Sequence, residues 1–423
     1  MAEALKPGDA RKILLMVLDG MGDRPVKELG SKTPLQYAAK RAMDKFASEG
    51  TCGIMDTIGR GIRPGSDTAH LALLGYNPYE VYTGRGPFEA LGIGMDVRAG
   101  DVAFRCNFAT VDTRMVVTDR RAGRIREGTD ELGRSLDGME IDGVKILFKP
   151  AVEHRAVLIL RGKGLCAKVT DADPHSEGQK VHESNPSVNN NATDFKDAEF
   201  TAKVLNKFVL ESYKALNAHL VNKERTKNGE LPANIILPRG AGMAPHIPKI
   251  SDRYGMKSSC VAGISLVKGI CRYVGMEIPD VKGATGGTDT DLGAKMKAVL
   301  RELDKNDFVL LNIKALDIFG HDGDAKGKAA YIGKIDRQLK FLFSNIGENV
   351  VVALTADHST PVSVRDHSGD PVPLAICGPH VRKDVIIKYD EVSCASGALG
   401  RIRGMDLLPV MLDLANRSEK YGA

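Results

Sequence analysis

The sequence lacks any apolar run close to the roughly 20 residues that a membrane-spanning helix needs. Its first residues, MAEALKPGDARK, are polar, and the apolar run that follows them is short. A secretory signal peptide needs a longer apolar core and a small-residue cleavage site. We therefore expect a cytoplasmic protein that has no membrane partner.

Paired cysteines and a strong excess of one charge are also absent. The seven cysteines are scattered without a CxxC pair, which argues against a disulfide framework or a zinc ribbon and favours packing in the core. The formal net charge of +5 is too small and too evenly spread for a nucleic-acid partner, but it suits a small anionic substrate. No GxxxxGK[ST] motif supports ATP binding of the P-loop kind.

The order of the apolar segments predicts strands that alternate with helices. Residues 13–18, ILLMVL, are typical of a strand buried on both faces, and Thr33-Pro34 predicts the start of a helix that Gly50 closes. The far half continues with predicted strands over 307–313, 349–357 and 372–378 and predicted helices over 258–276, 288–304, 325–344 and 406–416. This alternation predicts an α/β fold with a doubly wound, mostly parallel sheet.

The middle of the chain has a different pattern, in which strands follow one another after short connections. The predicted strands are 102–111, 114–119, 144–150 and 156–162, and a long helix over 193–221 follows them. This pattern indicates a smaller α+β domain inserted into the α/β domain, with the polar segment 223–232 as the return linker. We place the α/β domain at residues 1–85 and 240–423 and the inserted domain at 86–239.

Polar side chains cluster where the predicted strands of the α/β domain end or begin. The segments are VLDG (17–20), PGSDTAH (64–70), LDIFGHDGD (316–324), TADHS (355–359) and HSGDPVP (367–373). Ligands of open α/β sheets bind at the carboxyl ends of the strands, so we expect these segments to converge. Each segment alone has a plain explanation, such as a strand-to-turn exit at Asp19, a loop histidine at His321 or a polar strand end at Asp357. All five together favour a functional site.

These segments supply seven candidate metal ligands: Asp19, Ser66, Asp317, His321, Asp357, His358 and His367. Aspartate and histidine together suit divalent manganese, magnesium, cobalt or zinc. Seven ligands are too many for one ion with an open position, whereas two ions about 3.5–4 Å apart suit phosphoryl transfer. We therefore expect two divalent metal ions.

Ser66 is the candidate nucleophile. It precedes an apolar helical pattern, and a helix N-terminus offers free N–H groups and a positive dipole end to a phosphate. Metal coordination would also favour the alkoxide form of a serine. The alternative is that Ser66 is only the N-cap of this helix, because serine is among the most frequent N-caps.

Six motifs together resemble the archaeal-type cofactor-independent phosphoglycerate mutases of the alkaline phosphatase superfamily. They are LDGMGDRP, GSDTAHLALLGY, YTGRGPFEALG, TDADPH, LDIFGHDGD and TADHSTP, in the order of that family and over nearly the whole chain. The resemblance implies an alkaline phosphatase-like fold. It also implies an isomerase of glycolysis and gluconeogenesis that interconverts 3-phosphoglycerate and 2-phosphoglycerate without 2,3-bisphosphoglycerate.

The resemblance also implies roles for single residues. Ser66 matches the serine that carries the phosphoryl group. Asp19, Ser66, Asp357 and His358 match the ligands of one metal, and Asp317, His321 and His367 match those of the second. Because carboxylate-rich sites lean towards manganese, we favour manganese for both ions. The inserted domain would hold the glycerate while it reorients, and it would exclude water as a lid.

The groups that bind the substrate are harder to identify. The candidates are Arg85, Arg105, Arg239, Lys257 and His175, since a phosphorylated acid needs cations and arginine binds it with two hydrogen bonds. Each arginine or lysine could instead be a solvated surface charge. Asp171 and Asp173 in TDADPH are candidates for moving a hydroxyl proton, with a polar turn as the alternative.

Three rival functions fit parts of the same pattern. A metal-dependent phosphatase or phosphodiesterase would use the same ligands and Ser66 in an open site. A phosphotransferase would act on another small hydroxy acid, such as homoserine. A catalytically silent phosphate- or metal-binding protein is the third. The sequence also leaves the number of subunits open, including a homo-oligomer.

Overall fold

The computed structural model of the protein describes residues 10–244, 247–420 and 422, so the polar N-terminal segment before Ala10 lies outside the described residues. The chain divides into two compact units, the first formed by Met1–Val81 and Ile247–Ala423 and the second by Tyr82–His246. These limits differ by a few residues from the boundaries expected at 85 and 240. No described helix is both long enough and apolar enough to cross a membrane.

The strands and helices are numbered in chain order. The strands of the described residues are β1 (Lys12–Leu18), β2 (Thr51–Asp56), β3 (Val102–Val111), β4 (Val117–Asp119), β5 (Glu140–Ile141), β6 (Val144–Pro150), β7 (Arg155–Arg161), β8 (Ile235–Met243), β9 (Ser258–Val261), β10 (Phe308–Ile313), β11 (Val350–Thr355), β12 (Val372–Cys377) and β13 (Gly400–Arg403). The α-helices are α1 (Pro34–Tyr37), α2 (Arg41–Ser48), α3 (Ser66–Leu73), α4 (Pro78–Val81), α5 (Gly86–Gly92), α6 (Thr129–Arg134), α7 (Phe195–Ala218), α8 (Leu220–Lys227), α9 (Ile250–Tyr254), α10 (Ser265–Tyr273), α11 (Leu292–Lys305), α12 (Ala315–Asp322), α13 (Ala325–Asn345), α14 (Glu391–Cys394) and α15 (Gly404–Leu414). Two short 3-10 helices cover Lys27–Leu29 and Ala122–Arg124.

The first unit is built on a sheet with the strand order β13-β2-β12-β11-β1-β10-β9. All of these strands run in one direction except β12, which is antiparallel to both of its neighbours. The central strand β1 pairs with β10 and β11, and nearly all residues of these three strands are buried. The predicted α/β fold with a mostly parallel sheet is therefore confirmed.

The helices of the first unit form two packing groups beside this sheet. α13 contacts α1, α2, α11 and α12, whereas α3 contacts α10 and α15. Strand β9 contacts helices of both groups. Apolar side chains fill the space between these elements. All seven cysteines of the chain are free, and all except Cys377 are buried. The expected packing of the cysteines in the core is thus largely confirmed.

Three predicted helices of the first unit were wrong in their extent. The helix expected from Pro34 to Gly50 is divided into α1 and α2, because the first N–H groups of α2, those of Ala42 and Met43, donate to the Asp336 carboxylate of α13. The apolar pattern over 258–276 contains strand β9 before α10. Helix α11 starts later than expected, at Leu292, and the Asp291 side chain caps it.

Within the described residues, the second unit is an antiparallel sheet that a long helix covers. Its strand order is β4-β3-β7-β6-β5, and β8 also pairs with β3. Phe104, Phe108 and Phe148 of the sheet and Phe208 of α7 belong to one buried cluster. The helix expected over 193–221 is divided into α7 and α8 at His219, whose ring accepts a hydrogen bond from the Val221 N–H.

The predicted return linker at 223–232 was also wrong. Helix α8 continues to Lys227, and the chain then adds β8 to the sheet of the second unit. In this pairing Cys106 lies opposite Pro238, and Arg105 lies opposite Arg239. Arg239 is therefore part of the same sheet as Arg105.

Candidate active site

Three parallel strands of the first unit deliver polar side chains to the same edge of the sheet. Asp19 follows β1, Lys314 follows β10, and Asp357 lies just beyond β11. The ends of these strands are adjacent, since Leu18 pairs with Ile313 and Val17 pairs with Thr355. This is the convergence that the sequence predicts for an open α/β sheet.

Asp19, Asp357 and His358 form the first group of candidate metal ligands. One ligand atom from each lies within 4.8 Å of the others, and all three side chains are buried. His358 Nε2 is 3.2 Å from Asp357 Oδ2 and 3.6 Å from Asp19 Oδ1. Asp357 Oδ1 accepts hydrogen bonds from two backbone N–H groups, whereas its buried Oδ2 has no hydrogen-bond partner.

Asp317, His321 and His367 form the second group. The Nε2 atoms of both histidines are 3.4 Å from Asp317 Oδ1. The Nδ1 atom of His321 lies 2.9 Å from the Arg365 carbonyl, and that of His367 lies 2.7 Å from the Pro64 carbonyl. A carbonyl only accepts hydrogen bonds, so each Nδ1 carries a proton, and Nε2 is the ring atom left to bind a metal.

Two glycines allow the segments of the site to approach one another closely. Gly20 has a φ of +68°, and a Cβ atom there would lie 2.6 Å from the Cα atom of Asp317. A Cβ atom at Gly320 would lie 2.4 Å from the Thr360 carbonyl oxygen. The glycines of LDG and FGHD are therefore required by packing between the two groups of ligands.

Ser66 lies at the N-terminus of α3, but it is not the N-cap. The N-cap is Gly65, and the Ser66 hydroxyl is 3.1 Å from His358 Nε2. The alternative that Ser66 serves only to cap its helix was therefore wrong. Because the residue is buried, the hydroxyl is held next to the first group of ligands.

Lys314 belongs to the same site, although sequence reasoning missed it. Its Nζ lies 2.8 Å from Asp19 Oδ1, 2.8 Å from Asp317 Oδ2 and 3.5 Å from Ser66 Oγ. Burial alone would lower the pKa of Lys314, but the charges of Asp19 and Asp317 outweigh burial and raise it. The signal in the sequence was its position directly after a buried strand, the same signal that identified Asp19.

His70 and Asn312 hold Asp19 and helix α3 in place, and they too were missed. His70 Nδ1 is 2.7 Å from the Ser66 carbonyl, and the Asn312 amide donates to Asp19 Oδ2 at 3.2 Å. The same amide nitrogen is 3.3 Å from His70 Nε2. Burial lowers the pKa of His70, so this ring is neutral and accepts from Asn312.

Three buried carboxyl groups meet at this site. The carboxylates of Asp19, Asp317 and Asp357 are buried beside the ammonium group of Lys314. Burial, together with Asp19, raises the pKa of Asp357. Burial opposes the ionisation of Asp317 as well, but His367 and Lys314 lower its pKa. Buried carboxylates need compensating charge, and this oxygen and nitrogen donor set fits divalent cations.

The second unit carries a separate group of arginines around Asp173. Asp173 Oδ2 is 2.6 Å from Arg120 Nη2 and 3.3 Å from Arg239 Nη1. Burial opposes ionisation of Asp173, but the hydrogen bond from Arg120 outweighs it and lowers the pKa. An ionised carboxylate with two arginine partners is a poor proton donor. The geometry therefore favours Asp173 as a residue that orients arginines.

Two further arginines lie near this group: Arg105 on β3 and Arg85 at the start of α5. Arg85 Nε is 2.8 Å from Glu89 Oε1, and Arg105 Nε is 4.0 Å from the same atom. Burial and the charge of Arg85 lower the pKa of Arg105 to about 10. Arginines outnumber carboxylates here, so this surface favours an anion.

Asp171 and His175 form a more accessible pair. His175 Nε2 is 3.0 Å from Asp171 Oδ2, while Asp171 Oδ1 accepts a hydrogen bond from the Gly240 N–H. Lys257, in contrast, precedes β9 in the first unit, and its backbone N–H donates to Asp307. It lies at the amino ends of the parallel strands, opposite the edge that carries Asp19, so its expected place in a substrate site was wrong.

Known proteins similar to this chain identify its family. A family model described as 2,3-bisphosphoglycerate-independent phosphoglycerate mutase matches residues 47–222. A Methanosphaera stadtmanae protein of the same name is 52% identical over 415 residues, which cover 97% of this chain and 100% of that protein.

Two solved structures are also similar. A Pyrococcus horikoshii protein has a TM-score of 0.85 and 38% identity and covers 98% of this chain and 100% of its own. A cofactor-independent phosphoglycerate mutase from Thermoplasma acidophilum has a TM-score of 0.72 and 39% identity, over 96% of this chain and 100% of its own. The chain therefore belongs to the family of 2,3-bisphosphoglycerate-independent phosphoglycerate mutases.

Proposed function

We propose that this chain interconverts 3-phosphoglycerate and 2-phosphoglycerate through a phosphoserine at Ser66, with two divalent metal ions and without 2,3-bisphosphoglycerate. The observation that carries the proposal is the position of the Ser66 hydroxyl, 3.1 Å from a candidate metal ligand and at a helix N-terminus. The names of the relatives support the substrate, a small phosphorylated acid.

Two groups of side chains would hold the metal ions. Asp19, Asp357 and His358 would bind one ion together with Ser66, and Asp317, His321 and His367 would bind the other. When bound, the ions would favour the alkoxide of Ser66 and balance the charge of the phosphoryl group. The carboxylate-rich donor set favours manganese, with magnesium, cobalt and zinc as alternatives.

The residues of the first unit would then carry the phosphoryl transfer. Ser66 Oγ loses its proton and forms a bond to phosphorus, while the bond from phosphorus to the glycerate oxygen breaks and that oxygen takes up a proton. In the second half, the other hydroxyl of the glycerate loses its proton and forms a bond to phosphorus, while the bond from phosphorus to Ser66 Oγ breaks and Oγ takes up a proton. Lys314, which contacts Ser66 Oγ, would stabilise negative charge on the phosphoryl oxygens.

The second unit would hold the glycerate between the two halves of the reaction. Arg85, Arg105 and Arg239 are our candidates for its carboxylate, and Asp171 with His175 for the hydroxyl proton. Water must be kept from the phosphoserine during this interval, because hydrolysis would turn a mutase into a phosphatase. We propose the second unit as the cover that keeps it out.

The test is a coupled assay of 3-phosphoglycerate to 2-phosphoglycerate with added manganese and no 2,3-bisphosphoglycerate. The wild type should turn over, and Ser66→Ala should lose at least about 10⁴-fold in kcat while it still binds metal. Phosphate release is followed in parallel. Phosphate release without isomerisation would contradict the mutase proposal and point to a phosphatase on the same scaffold.

A further inference from the structure

Thr360 lies between the two groups of candidate metal ligands, although it belongs to neither. Its hydroxyl oxygen is 3.0 Å from His358 Nδ1 and 2.7 Å from Asp317 Oδ1. His358 is in the first group and Asp317 is in the second. All three side chains are buried, so water cannot replace these hydrogen bonds without a change in packing.

The direction of each hydrogen bond follows from the carboxylate at one end. Ionised Asp317 can only accept, so the Thr360 hydroxyl donates its one proton to Asp317. The Thr360 oxygen must then accept from His358, which places the imidazole proton on Nδ1. His358 Nε2 is left with a lone pair that faces the Ser66 hydroxyl and the carboxylates of its own group.

The His358 ring has little freedom to find another partner. It stacks on the His367 ring with a centroid distance of 3.6 Å and an interplanar angle of 22°. A close contact also fixes Thr360 itself, because the backbone of Gly320 packs against its carbonyl group and methyl group. The hydrogen-bonded pair is therefore held by the fold from both sides.

We propose that Thr360 is a positioning residue that fixes the His358 tautomer and thereby couples the two metal sites. The inference rests on the metal sites of the proposed function. Without the hydroxyl, the proton on Nδ1 would be buried with no acceptor. The other tautomer, with its proton on Nε2 among two carboxylates, would then be favoured, and a metal would have to displace that proton. Groups that orient a ligand in this way typically change metal affinity by about 10- to 100-fold.

The experiment is a cobalt titration of chelator-treated protein, followed by visible absorption. Thr360→Val keeps the size and β-branching of the side chain but removes the hydroxyl, and Thr360→Ser is the matched control that keeps it. We expect the wild type and Thr360→Ser to bind two equivalents alike, and Thr360→Val to bind at least one of them about 10- to 100-fold more weakly.

A second measurement examines the tautomer directly and needs no variant at Thr360. Long-range nitrogen–proton NMR of metal-free wild type labelled with ¹⁵N-histidine should place the His358 proton on Nδ1, with the signal assigned from its loss in His358→Gln. A proton on Nε2 would overturn the inference, even if Thr360→Val does not fold.

The outcomes separate the inference from the proposal on which it rests. A wild type that binds no cobalt would overturn the proposed metal sites and the inference with them. Two bound equivalents with identical titrations of Thr360→Val and the wild type would overturn the role of Thr360 alone. Weaker binding in Thr360→Val that Thr360→Ser restores would support it.

Discussion

The two units of the chain carry polar clusters of opposite charge balance. In the first unit, Lys314 lies 2.8 Å from the buried carboxylates of Asp19 and Asp317, and one carboxyl oxygen of buried Asp357 has no hydrogen-bond partner. In the second unit, the arginines around Asp173 and Glu89 outnumber the carboxylates. Each cluster lacks the charge that its proposed ligand would supply, metal cations in one and a phosphorylated acid in the other. Charge imbalance is therefore the feature that distinguishes both clusters from ordinary ion pairs.

Among the changes that compare the two clusters, removal of the unpartnered carboxylate should have the largest effect. Asp357→Asn should lower kcat/KM at least about 10³-fold, because one metal site loses a ligand. The same change should raise the unfolding temperature of the metal-free protein, since burial already raises the pKa of Asp357 and opposes its charge. Thermal unfolding with and without metal measures this. Asp304→Asn, at an exposed position, is the control. An unfolding temperature below that of the wild type would contradict the expectation that the Asp357 carboxylate destabilises the metal-free protein.

The next largest effect should separate two carboxylates of the second unit. If Asp171 moves the hydroxyl proton, Asp171→Asn should lower kcat by about 10²- to 10⁴-fold and alter its pH profile. Asp173→Asn should mainly raise KM, because Arg120 and Arg239 lose their shared partner. Steady-state kinetics over a range of pH distinguishes the two. Unchanged kcat in Asp171→Asn would remove the acid–base role from that residue.

A smaller effect is expected from the arginines. Arg105→Met should raise KM about 10- to 100-fold, the size expected for a lost charged hydrogen bond, and should leave metal content unchanged. The control is Arg98→Met, which removes an exposed arginine of the same unit that pairs with Asp96. Kinetics and metal analysis of the same preparations give both numbers. A loss of bound metal in Arg105→Met would show that the two clusters do not act on separate ligands.

The smallest effect concerns a partly buried acid outside both clusters. Burial raises the pKa of Glu391 to about 7 from 4.5, although the Thr33 hydroxyl and the Asp23 N–H donate to its carboxylate and Lys328 lies nearby. The folded protein therefore holds a proton that the unfolded chain loses between pH 4.5 and 7, so this group's contribution to stability falls as the pH rises through that window. Glu391→Gln should remove up to about 3 kcal/mol of that dependence in denaturant titrations. An identical pH dependence in both proteins would contradict the prediction.

The convergence of polar side chains at one edge of the first unit's sheet could be predicted because Asp19 and Asp357 each follow a buried strand. A buried apolar run followed by Asp or His is a local signal, and parallel strands bring such signals together without further information. Lys314 gives the same signal, but it was not predicted as a site residue, because lysine is not a usual metal ligand. Asn312 gave none, since it lies within a buried strand and its role depends on His70 and Asp19 from other parts of the chain.

The predictions of helix limits and of the return linker were wrong because tertiary contacts determine these features. The break between α1 and α2 depends on Asp336, nearly 300 residues away in sequence, which binds the N–H groups of the second helix. The start of the 258–276 pattern is a strand because β10 offers it a parallel partner. The 223–232 segment resembles a linker in composition, but the following β8 can pair with β3 only in three dimensions. Local pattern cannot reveal these partners.

The central place of β1 bears on how the protein is made. Its neighbours β10 and β11 come from the far half of the chain. During synthesis, β1 is therefore made well before either of the strands with which it pairs. The second unit is continuous in sequence and has its own buried cluster, so it can fold while the ribosome is still adding the rest. An incomplete chain would thus carry a formed arginine cluster without a metal site. Catalysis, with its risk of wasteful hydrolysis, would begin only when the last ligand had been synthesised.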